Sequence, residues 1–334
     1  MDDSFAGMRI AIVTPAVSGS RTGNETTTER WRAILSAAGH QVDVLRSWDG
    51  ETCDVLIALH ARKSGSSILR FHERCPEAPV IVALTGTDIY GDLGPETARS
   101  IAVATRLVVL QPLALRELPE TAWSKTWVVY QSVSPMALPR PARATFDVCV
   151  LAHLRAVKDP FRAAIASRFL PAESRMRILQ IGGALDPGTT EIARAEEEGN
   201  ERYRWLGRMP RVDALQVVAG CDVMVISSER EGGANAVSEA ISLSVPVIAS
   251  RIPGNAGLLG EDYPGFFEVG DTAELARLLH RAEADASFLQ SLQIHCRRRM
   301  HLFDPAREEA TWRALLEESC GAASAISQSR RLGA

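Results

Sequence analysis

Short apolar runs alternate with helix-sized segments along most of the chain. Runs at 9–14, 42–45, 55–59, 80–84, 107–110 and 128–130 read as strands. Segments 25–38, 66–74 and 96–104 read as helices between them, the first closed by Gly39. This alternation predicts an α/β fold with a doubly wound parallel sheet. A break follows at Ser134-Pro135-Met136-Ala137-Leu138-Pro139-Arg140-Pro141, whose prolines make a stiff connector. The alternation then restarts with runs at 146–152, 178–181, 203–206, 223–226 and 247–249, a second parallel sheet of similar design. Ligands of such sheets bind beyond the C-terminal strand ends, so two facing sheets predict one central cleft. The expected domains are 1–138, 139–302 and a terminal segment 303–334. That segment holds a helix at about 305–318 with Trp312, Leu315 and Leu316, and a small, polar tail from Gly321 expected to fray.

Composition narrows the function classes. At 334 residues, 46% of them hydrophobic, the chain has material for two cores. The balance of 37 basic against 41 acidic residues gives a net charge of −4, which offers no general attraction to nucleic acid or membranes. No apolar run is long enough to span a bilayer, and residues 1–8 lack the blocks of a signal peptide. The six cysteines form no Cys-x-x-Cys pair, and Cys149 and Cys221 fall within strand-like runs. They read as small buried hydrophobes in a reducing cytoplasm, with neither a disulfide framework nor a zinc site.

Candidate chemistry gathers in Ser227-Ser228-Glu229-Arg230-Glu231-Gly232-Gly233-Ala234-Asn235-Ala236-Val237-Ser238-Glu239-Ala240, between a strand and a helix that must end before Pro246. Backbone N–H groups at a helix start favour an anionic or oxygen-rich ligand, and the glycines let backbone approach it closely. Glu231 in the loop and Glu239 in the helix suit vicinal hydroxyls, such as those of a sugar or a ribose. The plainer reading is a solvated loop acid and an ordinary helix-surface acid. After the strand at 146–152, Arg155 and Lys158 stand three apart in a loop and suit a diphosphate clamp; two solvated loop cations is the alternative. No Gly-x-Gly-x-x-Gly follows the first strand, which argues against an ordinary dinucleotide dehydrogenase.

The first half offers further candidates at predicted strand ends. The loop 18–24, with Arg21 and Asn24, is either an anion cradle or a flexible turn. His60, Arg62 and Lys63 follow the third strand; a histidine beside two cations is a poor general base but suits an anionic substrate. Thr87 and Asp88 follow the fourth, where Asp88 binds a sugar hydroxyl or caps a turn.

The pattern Ser-x-x-x-Glu-Gly with a second glutamate eight residues on, followed by Ser244-Val245-Pro246-Val247-Ile248-Ala249-Ser250, resembles the Glu-x7-Glu motif of retaining-type nucleotide-sugar glycosyltransferases with the GT-B fold. Ser244 replaces the family's usual glycine, a departure expected to alter a helix end rather than chemistry. The resemblance implies two Rossmann-like domains facing a cleft, with a C-terminal helix returning to the N-terminal domain. It places Arg155 and Lys158 on the donor's pyrophosphate, although Lys158-Asp159-Pro160 stands where many relatives have Lys-Gly. It places Glu231 and the amides of Gly232, Gly233, Ala234 and Asn235 on the sugar, with Ser228 beside them, and Glu239 on the ribose. Backbone at Arg208 and Met209 would hold the nucleobase. No Asp-x-Asp metal signature appears, so metal independence and no cofactor beyond the UDP-sugar substrate are expected.

One subgroup is resembled more closely. Leu59-His60-Ala61-Arg62-Lys63-Ser64, Thr85-Gly86-Thr87-Asp88, Lys158-Asp159-Pro160, Glu231-Gly232-Gly233-Ala234-Asn235 and the stretch 254–265 together are similar to the selenosugar synthases of selenoneine biosynthesis, over about residues 9–300. That resemblance implies transfer from UDP-N-acetylglucosamine or UDP-glucose to selenophosphate, giving a 1-selenosugar. It also implies functional links to a selenophosphate-producing enzyme and a selenoneine-forming oxygenase. An anionic nucleophile needs no strong general base but does need cations, for which Arg21, Arg62 and Lys63 are the candidates. The rival readings are a glycosyltransferase with an alcohol acceptor, a nucleotide-sugar epimerase or hydrolase, and a non-catalytic nucleotide-sugar sensor.

Overall fold

A computed structural model of the chain describes residues 7–16, 19, 23–86, 88–90, 93–134, 136, 138 and 144–332, with side chains as far as Gly321. The chain divides into two compact units, Met1–Gln131 with Pro305–Ala334, and Ser132–Asp304. The first unit therefore ends at Gln131, a few residues before the proline-rich connector, and takes in the last helix.

The first unit is a six-stranded sheet of β1 (Arg9–Val13), β2 (Gln41–Leu45), β3 (Val55–Leu59), β4 (Val80–Leu84), β5 (Arg106–Val109) and β6 (Thr126–Val128). Its order is β2-β1-β3-β4-β5-β6, every pair parallel. The central strands β3 and β4 are buried at every position, because a parallel sheet wound with helices is covered on both faces. One face carries Ala11, Val13, Leu56 and Ala58 against Ile68 and Phe71 of α2 (Gly65–Arg74) and Ile101 of α3 (Gly94–Val103). The other carries Ile10, Ile12, Val55 and Ile57 against Trp31 and Leu35 of α1 (Gly23–Ala37) and the apolar side of the chain's last helix, Pro305–Leu332. There Trp312, Leu315 and Leu316 pack, with Trp312 edge-on to Trp31 at 4.7 Å. Glu308 anchors this return: its Oε1 accepts from Trp31 Nε1 at 2.7 Å and its Oε2 lies 3.2 Å from Arg30 Nε. The tail expected to fray from Gly321 instead continues this helix to Leu332. Residues 322–328 are three alanines among short polar side chains and one isoleucine, and alanine is the strongest helix former.

The second unit repeats the design with β7 (Phe146–Leu151), β8 (Met176–Ile181), β9 (Tyr203–Gly207), β10 (Val223–Ile226), β11 (Val247–Ser250) and the two-residue β12 (Phe266–Phe267). Its order is β12-β11-β10-β7-β8-β9, again all parallel. The winding elements are α4 (Arg162–Ser167), α5 (Thr189–Gly199), α6 (Arg211–Ala219), α7 (Asn235–Ser242), α8 (Pro253–Leu259), α9 (Thr272–Ala284) and α10 (Ala286–Arg299). The last helix of the chain is then α11 (Pro305–Leu332). From β7 the chain builds outward through β8 and β9, then crosses back to place β10 on β7's other side. That reversal, between β7 and β10, is where ligands of open α/β sheets bind.

Ser244 sits just past α7 with φ of 59°, in the left-handed region. Val245 N donates to Ala240 O at 2.8 Å and Ser244 N to Ile241 O at 3.0 Å, the bonds of a Schellman ending. The position that favours glycine is thus a helix end.

Candidate active site

The loops that leave β7 and β10 meet at the reversal. After β7, Leu154 makes a parallel bridge with Ala184, and Gly183 N donates to His153 Nδ1 at 3.0 Å. Asp186 then fixes the next residues: its Oδ2 accepts from Ala156 N at 2.7 Å and its Oδ1 lies 3.8 Å from Arg155 Nε. A 3-10 turn, Ala156–Lys158, follows, and Asp159 takes the left-handed conformation with φ of 43°. This accounts for the departure from Lys-Gly. Aspartate is among the few residues that tolerate this region, and here its Oδ2 accepts from Arg162 Nε at 2.7 Å.

Two adjacent serines at the end of β10 tie this turn to the glutamate loop. Ser227 Oγ donates to Asp159 O at 2.7 Å, and Glu229 N donates to Val157 O at 3.0 Å. Ser228 Oγ donates to Glu231 Oε1 at 2.7 Å, and Lys158 Nζ donates to the same oxygen at 2.5 Å. Glu231 is buried, so this charge-assisted pair replaces much of its hydration. No hydrogen bond from a described residue reaches its Oε2. Behind Ser228, Ser250 Oγ donates to Ser228 O at 2.6 Å and accepts from Asn255 Nδ2 at 3.2 Å. Gly254 lies so near that a Cβ would stand 2.0 Å from the Glu231 carbonyl oxygen. The loop is thereby held by three strand ends and one backbone contact.

Gly232 is buried and Gly233 half-buried; Ala234 is the N-cap of α7 and offers no side-chain oxygen to its amides. Asn235 opens the helix. Glu239, one turn further on, is buried, and Arg211 of α6 holds it: Nε donates to Oε1 at 2.9 Å, and Nη2 lies 2.8 Å from the same oxygen. Arg208 is exposed and lies across Gly183, where a Cβ would meet its Nε at 3.0 Å, while Met209 is half-buried.

In the first unit, His60 follows β3 with φ of 70° and is buried, whereas Arg62 and Lys63 are exposed. Asp88 organises this corner. Its Oδ2 accepts from Ala61 N at 2.8 Å, its Oδ1 from Thr85 N and Gly86 N at 3.1 and 2.9 Å, and His60 Nδ1 lies 3.6 Å away. Asp88 thus caps the turn. Burial pushes the His60 imidazole pKa down, Asp88 opposes that shift, and Lys63 and Arg62 reinforce it. Asn24 lies in the first turn of α1, its carbonyl accepting from Thr28 Oγ1 at 2.8 Å, and Gly19 N donates to the Glu25 carboxylate. Arg21 and Thr87 lie outside the described residues.

Asp186 and Arg211 escaped sequence reasoning, while Ser250, Gly254 and Asn255 lay within quoted motif stretches without being given a role. Only Arg211 carries a local signal. A cation at the first position of a helix opposes the helix dipole and asks for a partner.

Residues 144–298 match the family model described as glycosyl transferases, group 1. The matched stretch lies within the second unit. The Glu231 and Glu239 loops, the lysine turn and Arg211 all lie within it. Over 283 residues the chain is 26% identical to glycosyltransferase 1 domain-containing protein 1 of Xenopus tropicalis, covering 74% of this chain and 80% of that protein. Among solved structures, sucrose-phosphate synthase from Thermosynechococcus elongatus is similar with a TM-score of 0.75 at 16% identity, covering 94% of this chain and 100% of that one. HepE of Anabaena, solved in complex with UDP, is similar with a TM-score of 0.72 at 15% identity, covering 93% of this chain and 100% of that one. The fold is GT-B, with two six-stranded parallel sheets in one chain. No helix of the described residues is long and apolar enough to cross a membrane.

Proposed function

We propose that this chain is a UDP-sugar-dependent glycosyltransferase whose acceptor is selenophosphate and whose product is a 1-selenosugar. The observation that carries the donor half is the meeting of Lys158, Ser228 and Glu231 on one carboxylate oxygen at the sheet's reversal point. Glu231 Oε2 is left for a sugar hydroxyl. An ammonium has three donors, so Lys158 keeps one on Glu231 and presents the others, with Arg155, to the donor's diphosphate. Glu239 takes the ribose hydroxyls. HepE, a similar fold, has been solved with UDP-glucose, which fits a UDP-sugar donor, here UDP-N-acetylglucosamine or UDP-glucose.

The acceptor half rests on the motif set shared with selenosugar synthases and on the exposed cations Arg62 and Lys63. His60, held towards its neutral form by burial, fits a site that needs no proton removed from its nucleophile. In the proposed step selenium bonds to the anomeric carbon while the bond from that carbon to the diphosphate oxygen breaks, and UDP leaves with the electron pair. Hydrolysis of the selenium–phosphorus bond then releases phosphate and leaves the selenol. Cations at the leaving diphosphate supply the charge neutralisation that a metal provides elsewhere, so a chelator should leave turnover unchanged.

The test is mass spectrometry of products from a panel of UDP-sugars, with and without selenophosphate. A selenium-bearing sugar formed with free UDP is the expected result, and Arg62→Ala with Lys63→Ala should weaken selenophosphate use while sparing UDP binding. Transfer to an alcohol with no selenosugar from any donor would overturn the acceptor assignment and leave a general glycosyltransferase. Failure to bind or turn over any UDP-sugar would overturn both halves.

A further inference from the structure

We propose that Arg211 is a positioning residue for Glu239 and sets the chain's preference for a ribonucleotide over a 2′-deoxyribonucleotide. The inference rests on the UDP-sugar reading above.

Three observations lead to it. Glu239 is a buried carboxylate on the middle of a helix, and a buried charge persists only when paired. Its guanidinium partner comes from 28 residues earlier in sequence and sets an Nε hydrogen bond and a 2.8 Å Nη2 ion-pair contact on the one oxygen Oε1, which restricts the side chain's rotation. Arg211 is itself the first residue of α6, where the helix's positive end disfavours a cation, and the preceding Pro210 supplies no side-chain cap. A residue that breaks a local rule and satisfies a distant group marks a functional position.

The consequence is directional. A carboxylate has about four lone-pair sites, and Arg211 occupies those on one edge of Oε1. The hydroxyls of a ribose must therefore approach from the remaining side, in one orientation. A freely rotating Glu239 would accept one hydroxyl as readily as two, and discrimination against a sugar lacking the 2′-hydroxyl would be lost. Arg211 also follows Arg208 and Met209 by two or three residues, so the turn assigned to the nucleobase and the group that aims at the ribose share one short rigid segment. Base and ribose recognition would be mechanically linked through it.

The experiment measures UDP and 2′-deoxy-UDP affinity by calorimetry for the full chain and for Arg211→Ala, Arg211→Lys and Glu239→Ala. Hydrogen bonds to a charged group predict that the wild-type chain prefers UDP by about 10- to 100-fold. Arg211→Ala should bring that ratio below about 3-fold, chiefly by weakening UDP, and Arg211→Lys should restore part of it. A purely electrostatic role would weaken both nucleotides equally and leave the ratio intact, which overturns the proposal. So does an unchanged ratio in Arg211→Ala alongside a collapsed ratio in Glu239→Ala, with the ribose role of Glu239 surviving. An unchanged ratio in Glu239→Ala overturns both assignments, and no binding of either nucleotide by the wild-type chain overturns the UDP-sugar reading itself.

Discussion

Replacing Gly254 with alanine tests the geometry of the site through one added methyl group. Gly254 is the second residue of α8, and an added Cβ would stand 2.0 Å from the Glu231 carbonyl oxygen, 2.7 Å from its carbonyl carbon and 2.8 Å from its Cβ. Ordinary contact begins near 3.4 Å, so one of the two backbones must retreat by roughly 1 Å or more. The φ of Gly254 lies outside the left-handed region, so alanine's own backbone is unstrained and the collision is the whole perturbation. Helix α8 is buried from Gly254 to Leu259, so the collision is expected to be relieved at the loop that carries Glu231. A displacement near 1 Å at a reacting centre costs about 100-fold in rate, equivalent to roughly 2.7 kcal/mol of barrier. Steady-state UDP release at saturating acceptor, over a range of donor concentrations, should show that loss mainly in kcat. Urea unfolding should run alongside it. A kcat within threefold of wild type, in a variant with an unchanged unfolding midpoint, would refute the claim that this contact positions Glu231.

Other expectations follow from single contacts. Lys158→Ala removes the charged donor on Glu231 and, in the proposed reaction, one cation from the leaving diphosphate; turnover measured by UDP release should then fall by about 10²- to 10³-fold. Glu308→Ala takes the acceptor from the buried Trp31 N–H and breaks the 3.2 Å ion pair with Arg30, and should destabilise the first unit by about 3 kcal/mol in urea unfolding. Ser244→Gly relieves a left-handed serine and should stabilise the second unit by about 1 kcal/mol, read the same way. Burial lowers the His60 pKa below the ordinary 6.5, so the unfolded chain binds the proton more readily than the folded one. Stability from this group is intact above pH 6.5 and lost as pH falls through the folded value; unfolding from pH 7 to 5 should show the slope, and His60→Gln should flatten it.

The strands were legible because buried parallel strands are apolar at nearly every position, as Val55-Leu56-Ile57-Ala58-Leu59 and Val80-Ile81-Val82-Ala83-Leu84 show. Strand β12 was not, since Phe266-Phe267 is too short to leave a periodic signal. Position in the chain singled out Glu231 and Lys158 as candidates, but their meeting on one oxygen depends on Ser227, Asp159 and Asp186, whose bonds join residues about 30 to 70 positions apart. The roles of Ser250, Gly254 and Asn255, quoted only as motif residues, were hidden for the same reason: each acts through a neighbour brought close only by the sheet. Asp88 had two readings, and the three amides on its carboxylate are those of a turn organiser. The connector's prolines marked the neighbourhood of a boundary, while the boundary itself lies earlier, where Gln131 still donates to Thr27 Oγ1 within the first unit.

The return of α11 to the first sheet has a consequence for synthesis on the ribosome. The first unit lacks its closing helix until the whole of Ser132–Asp304 has been made. At ~5–20 residues per second, roughly 170 residues take ~10–35 s, during which the surface around Trp31, Leu35, Ile10 and Ile12 has no partner from Trp312, Leu315 and Leu316. The nascent chain therefore carries an open tryptophan-lined face while its second unit, continuous in sequence, completes itself first. A chain that stops before Glu308 would be left displaying that face to chaperones and proteases.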